Sequence, residues 1–135
     1  MTRGTIILFT NRQTIETTEF NGDMYLKHYS NGQIMVDLLK KVKTEKDFRK
    51  AITKFNKDNF SYQEELFYPR EKKTKIVFTK RTYSNRWFSD YLYFLNLSDK
   101  TISFTDINLV EKKLKSKKKI FVFNFGEFYK AIPIK

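Results

Sequence analysis

The apolar residues of this 135-residue chain change their spacing twice, and this change constrains the fold more than any other feature. Residues 5–20 have the short apolar runs and the alternation of strands. Residues 33–55 have the three- and four-residue spacing of amphipathic helices, and the strand pattern returns after residue 59. We therefore expect one α+β domain over residues 1–135, with a mostly antiparallel sheet of about five strands and two helices packed on one face.

Turn and capping residues divide these segments into elements. Asn11 and Arg12 predict a hairpin turn between strands at 5–10 and 13–20, and residues 21–23 and 31–32 have turn composition. Helices are expected at 33–42 and after Thr44, where the spacing of Thr44 and Asp47 is that of a capping box. Further strands are predicted at 75–79, 87–97, 101–107 and 120–125, and the segment 109–119 begins with a helical pattern.

The positive charge is concentrated in the second half of the chain. Residues 1–68 have a net charge of +2 and residues 69–135 a net charge of +10, which together give the total of +12. Self-repulsion makes such an imbalance mildly unfavourable for a compact protein, so a polyanionic partner is the simplest explanation. Lysine outnumbers arginine 21 to 6, which favours phosphate contact over base reading, although the codon bias of an AT-rich genome explains the lysine count equally well.

The residues that enzymes use for chemistry are scarce. The chain has no cysteine, one histidine and four glycines, which excludes thiolate metal sites, disulfides and a glycine-rich phosphate loop. His28, in a loop rich in Tyr and Asn, is best interpreted as a surface residue. We therefore expect a protein that is not an enzyme and needs no metal or cofactor. No signal peptide or membrane span is visible, so we expect a location in the cytoplasm.

Nucleic-acid binding is the function class that these residues favour. Basic residues cluster around the strands predicted in the second half, and aromatic residues are interleaved with them, as in proteins that hold phosphates and stack bases. The candidate residues are Lys72, Lys73, Lys75, Lys80, Arg81, Arg86, Trp87, Lys112, Lys113, Lys115, Lys117, Lys118 and Lys119. In the second predicted helix, a further set can reach phosphate but is more often a solvated surface: Lys46, Arg49, Lys50, Lys54 and Lys57.

Three other functions remain open. The protein could be a transcription-regulating protein that binds duplex DNA, or a sponge that sequesters an anionic signalling nucleotide. It could also be a metal-dependent nuclease, since Glu71 with Lys73 and Glu111 with Lys113 each have the Glu-x-Lys spacing of carboxylate–lysine sites. Such a site also needs a preceding Asp on a paired strand, for which Asp58, Asp90 and Asp106 are the eligible residues. The same basic and aromatic residues would also suit an acidic protein partner.

Four stretches, at residues 3–10, 18–25, 87–93 and 122–129, resemble as a group the small accessory proteins of phages and prophages of low-GC Gram-positive bacteria. The resemblance implies a role in the host cytoplasm, such as takeover of the host genome or inhibition of host defence in the manner of anti-CRISPR proteins. Anti-CRISPR proteins that mimic DNA are often acidic, whereas this chain is basic. The resemblance therefore implies occlusion of a host nuclease through its guide RNA, its nucleoprotein or an acidic protein surface.

Overall fold

A computed structural model describes residues 2–60, 65–73, 75–79, 82–83, 86–87, 89–106, 108, 112, 120–124 and 130–133. These residues form the two helices and the short and long strands of an α+β protein. In chain order the elements are β1 (Arg3–Thr10), β2 (Gln13–Glu16), β3 (Phe20–Asn21), α1 (Asn31–Leu39), α2 (Glu45–Asn59), β4 (Glu71–Lys72), β5 (Lys75–Thr79), β6 (Thr82–Tyr83), β7 (Arg86–Trp87), β8 (Tyr91–Asn96), β9 (Thr101–Asp106), β10 (Ile120–Asn124) and β11 (Lys130–Pro133).

The larger sheet is mixed rather than purely antiparallel. Six strands follow the order β11-β9-β8-β1-β2-β4, and β3 also pairs with β1. Its central pair, β1 and β8, is parallel, whereas its other pairs are antiparallel. A parallel pair needs a long crossover, and the chain between these two strands contains both helices. The expected α+β class and the mostly antiparallel pairing are confirmed, but the sheet differs in having this parallel centre.

The prediction of a single sheet of about five strands is wrong in one further respect. A second sheet is formed by four strands in the order β10-β5-β6-β7. The segment 87–97, expected to be one strand, is divided between the two sheets. Ser89 and Asp90 lie at the division. The Ser89 hydroxyl donates to the Glu19 carboxylate at 2.8 Å and lies 2.7 Å from the Thr5 hydroxyl, and Asp90 accepts from the backbone N–H of Arg3 at 2.8 Å. These side-chain bonds compete with strand hydrogen bonding and end the pairing there.

The expected strand at 13–20 is also interrupted, by a bulge. Ile7 lies opposite Glu16, but Gly4 lies opposite Phe20, so two residues of β1 face three residues of its partner. An extra residue of this kind moves every following side chain to the other face of the sheet. It thereby places Phe20 in the core beneath the helices, where it is fully buried.

Both helices pack on one face of the larger sheet, as expected. The core joins inward residues of α1 and α2 with one alternating set of strand residues, which are Ile6, Leu8, Ile15, Tyr93, Leu95 and Ile102. The opposite set is buried as well and is more polar, with Thr5, Thr14, Glu16, Ser103 and Thr105 among its members.

The start of α1 differs from the expected turn at Asn31 and Gly32, which are already helical. Ser30 is the N-cap, and its hydroxyl accepts from the N–H of Gln33 at 3.2 Å. Serine is among the best N-cap residues, so the sequence signal for the start of α1 is Ser30, one residue before Asn31 and Gly32. Within the described residues, neither helix has the length and apolar composition of a bilayer span.

The capping box at the start of α2 is confirmed. The Thr44 hydroxyl accepts from the Asp47 N–H at 3.1 Å, and the Asp47 carboxylate accepts from the Thr44 N–H at 3.2 Å. The backbone N–H of Lys43 also donates to this carboxylate and, with the bonds from Thr44, lowers the pKa of Asp47. The reciprocal bonds fix the residue at which α2 begins, and therefore which of its side chains face outward.

Candidate nucleic-acid interface

The outer surface of α2 carries a dense row of cations. Phe48, Ile52 and Phe55 are buried on the inner side, so the residues between them point outward. A shallow, open region of about 630 Å³ lies along this outer side, and every described residue that lines it belongs to α2 itself. We call it the α2 groove, and the described residues that line it are Glu45, Lys46, Arg49, Lys50, Thr53, Lys54, Lys57 and Asp58.

Five cations and two carboxylates line the α2 groove, which leaves an excess of three positive charges. Arg49 pairs with Glu45 at 3.2 Å and Lys54 with Asp58 at 2.9 Å, each four residues apart on the helix. No ion pair within the described part of the chain involves Lys46 or Lys57. The groove is therefore electropositive along its length.

The N-terminal end of α2 is joined to the edge of the larger sheet. Arg70 donates to both carboxylate oxygens of Glu45 at 2.7 Å and to the Gln13 side chain at 3.1 Å. Lys72 lies opposite Gln13 in the β2–β4 pair and is exposed. The α2 groove thus begins beside an edge strand on which Lys72 is an exposed cation.

The C-terminal end of α2 lies beside the loop at residues 25–30, which we call the tyrosine loop. The carbonyl of Gly22, at the base of this loop, accepts from the Asn31 side chain at 2.8 Å. A Cβ atom on Gly22 would lie 3.3 Å from the ring of Phe60, the C-cap residue of α2. Gly22, three residues before the loop, therefore lies between the start of α1 and the C-cap of α2, on the core side of the helix pair.

The tyrosine loop presents polar aromatic and basic side chains to solvent. Tyr29 is 89% exposed and has a φ of 66°, and the centroid of its ring lies 4.1 Å from that of His28. Lys27 is exposed, with its Nζ 5.8 Å from the centroid of the Tyr25 ring. His28 is confirmed as an exposed loop residue.

The basic residues predicted in the second half have different surroundings. Lys72 and Lys112 are exposed, and Lys112 has helical backbone. Lys75 lies on β5, and Arg86 and Trp87 form β7, so the backbone of all three belongs to the smaller sheet. The other candidates lie outside the described residues: Lys80, Arg81, Lys113, Lys115, Lys117, Lys118 and Lys119.

Lys73, in contrast, is close to two carboxylates. Its Nζ lies 2.8 Å from Glu71 and 3.5 Å from Glu16, which is only 3% exposed. Glu71 is on β4 and Glu16 on the neighbouring strand β2, so the Glu-x-Lys spacing has an acidic residue on a paired strand. The part of the chain that the structure describes has no group of three or more metal-ligating side chains. Among the described residues, two carboxylates, those of Glu16 and Glu71, are close enough to Lys73 to share a metal ion with it nearby.

Tyr93, one of the aromatic residues interleaved with the basic clusters, is a core residue. It is fully buried, and its hydroxyl donates to the carbonyl of Met24. Burial raises the pKa of this phenol far above its ordinary value, so it stays neutral at physiological pH. Its role is to fasten the segment that precedes the tyrosine loop to the central strand β8.

No protein-family model matches the chain, and no curated protein or solved structure is similar to it. The resemblance to phage accessory proteins, and the occlusion of a host nuclease that it implies, therefore stay predictions from the sequence.

Proposed function

We propose that this protein binds nucleic acid through the α2 groove. The observation that carries the proposal is the alignment of Lys46, Arg49, Lys50, Lys54 and Lys57 along one groove that has only two carboxylates. Sequence reasoning had noted these five residues and favoured a solvated surface. Their excess charge and shared groove favour an anionic ligand instead.

The length of the row suits a phosphate chain. From Lys46 to Lys57 the helix rises about 16 Å. One strand of B-form DNA carries about five phosphates over that distance. Four of the five cations are lysines, which contact phosphates as point charges and do not read bases in the bidentate manner of arginine. The geometry therefore favours binding that depends weakly on base sequence.

Replacing Lys46, Lys50 and Lys57 together with Gln tests this proposal. Each lost phosphate contact lowers the slope of log K against log salt by about 0.7 for single strands and 0.9 for duplex DNA, so the slope should fall by about 2 to 3. Fluorescence anisotropy with a labelled 20-nucleotide oligomer over a salt titration measures it. We expect the loss to be similar for oligomers of different base sequence.

Two further variants serve as controls. Replacing Lys41, Lys43 and Lys100 with Gln removes the same charge from exposed positions outside the groove and should change the slope by less than half as much. Replacing Lys117, Lys118 and Lys119 tests the cluster that the sequence favours. If the salt dependence falls in this last variant and not in the α2 variant, the interface lies in the second half of the chain. If the parent protein binds no oligomer, the proposed function is wrong.

A second candidate function is metal-dependent cleavage of a phosphodiester, and the observation that favours it is the cluster of Glu16, Glu71 and Lys73. Magnesium is commonly held by one or two carboxylates together with substrate phosphates. A nearby ammonium group would assist a water molecule that attacks phosphorus as the P–O ester bond breaks.

If this candidate is right, the protein cleaves labelled DNA or RNA with Mg²⁺ or Mn²⁺, and Glu71→Gln abolishes the cleavage while the exposed Glu65→Gln does not. Gel electrophoresis of the products, with and without a chelator, provides the measurement. Intact substrate with both metals, or equal cleavage by Glu71→Gln, would leave Glu16, Glu71 and Lys73 as a structural ion-pair cluster.

A further inference from the structure

Tyr29 combines a disfavoured backbone with an exposed ring. Its φ of 66° belongs to the left-handed region, which bulky side chains rarely adopt and which glycine and asparagine tolerate. Burial does not compensate, since 89% of the residue is exposed. A glycine or asparagine here would satisfy the fold at lower cost, so the tyrosine ring points to a contact outside the chain.

Hydrogen bonds of the tyrosine loop define the backbone on either side of Tyr29. The Ser30 hydroxyl donates to the Tyr25 carbonyl at 2.7 Å and accepts from the N–H of Lys27 at 3.1 Å. The N–H of Ser30 donates to the Lys27 carbonyl at 3.0 Å. These bonds close the loop on both sides of Tyr29, and a loop backbone that is already ordered loses less freedom when the residue binds.

The surroundings of Tyr29 indicate what the ring contacts. Lys27 and His28 are exposed beside it, so the ring has basic and aromatic neighbours at the surface. An exposed aromatic ring beside exposed basic residues is the arrangement with which proteins hold single-stranded nucleic acids, since phosphates contact the cations while an unstacked base lies on the ring. The bases of a duplex are already stacked and cannot do so.

We propose that Tyr29 is a base-stacking residue and that the ligand of this surface is single-stranded nucleic acid. The inference rests on the proposed function of the α2 groove. The inference specifies that the ligand is single-stranded and that its bases are contacted, which the cations of the groove alone do not establish.

The test compares two ligands with the same phosphates. One is a labelled 20-nucleotide oligothymidine, and the other is a 20-residue abasic oligomer with the same backbone. Tyr29→Asn should weaken binding of oligothymidine about tenfold, because stacking on an aromatic ring contributes on the order of fivefold to a hundredfold per base. It should leave binding of the abasic oligomer unchanged, and Tyr29→Trp should retain the affinity for oligothymidine.

Tyr29→Asn is suited to this test because asparagine tolerates the left-handed backbone, so its melting temperature should be equal to or above that of the parent protein. If neither oligomer binds the parent protein, the proposed function of the α2 groove fails. If both bind and Tyr29→Asn weakens neither, the stacking role fails while the groove stands. Tighter binding of a 20-base-pair duplex than of oligothymidine would also overturn the inference, as would a Tyr29-dependent protein partner in place of nucleic acid.

Discussion

Gly32→Ala lowers the free energy of unfolding by about 3 kcal/mol, the upper part of the usual range for overpacking. Gly32 lies in the first turn of α1, and its N–H donates to the Asp23 carbonyl at 3.3 Å. A Cβ at this position would lie 2.6 Å from the Met24 carbonyl oxygen, and closer still to the Tyr25 carbonyl and the Tyr93 hydroxyl. Two of these atoms belong to the backbone, so a change of side-chain rotamer cannot relieve the overlap.

Urea denaturation followed by circular dichroism measures this effect, and Gly22→Ala is the matched control. A Cβ on Gly22 would meet the Phe60 ring at 3.3 Å, an edge that can shift by a few tenths of an ångström. We expect a loss below about 1 kcal/mol for this control, as for a mild steric change. A loss for Gly32→Ala as small as that of the control would mean that α1 and the tyrosine loop are not packed as described.

Phe55→Ala removes about 4 kcal/mol of stability, the range measured for buried aromatic residues replaced by alanine. Phe55 is fully buried in α2, and its ring contacts Phe20 edge-on at a centroid distance of 5.2 Å and Phe60 at 5.4 Å. The three rings close the end of the core beside the tyrosine loop. A cavity there removes apolar contacts from α2 and from the bulged segment that carries Phe20.

Thermal unfolding of Phe55→Ala should be compared with that of Ile34→Ala, which changes a half-exposed apolar residue of α1. We expect the control to differ from the parent by about 0.5 kcal/mol at most, as surface substitutions do. Equal effects of the two substitutions would contradict the described core, because they would place Phe55 at the surface.

The elements that the sequence predicted correctly depend on neighbouring residues. Asn11 and Arg12 both have positive φ, of 49° and 58°, as a two-residue hairpin requires, and Asn is favoured there. The capping box of Thr44 and Asp47 and the strand Lys75–Thr79 also follow from local patterns. In each case the residues that decide the structure are within a few positions of one another.

The errors concern pairings between distant segments. The alternation at residues 13–20 is continuous in the sequence, and only the partner strand β1 reveals the bulge that moves Phe20 inward. The run at 87–97 is rich in aromatic residues on both sides of Ser89 and Asp90, and its division depends on Arg3, Thr5 and Glu19, which contact these two residues. No local pattern contains this information, since the partners are about seventy to ninety positions away.

The candidate site was predictable in composition but not in position. The spacing of Lys46, Lys50, Lys54 and Lys57 predicts that these cations share a helix face, but the bonds of Arg70 that join this face to the sheet edge cannot be inferred from spacing. The exposure and the left-handed backbone of Tyr29 depend on the bonds of Ser30. Glu16 was missed as the partner of Glu71 and Lys73 because the β2–β4 pairing joins residues far apart in the chain.

The parallel pairing of β1 with β8 determines when this protein can fold. Arg3 and Asp90 are 87 positions apart, and their contact begins the central strand pair. At a synthesis rate of roughly 5 to 20 residues per second, the N-terminal strand waits about 4 to 17 seconds for its central neighbour to be translated. During that time the β1–β2 hairpin has an open edge on which a wrong partner can pair. High contact order of this kind slows folding, so the nascent chain depends on being kept apart from its copies until residue 96 is made.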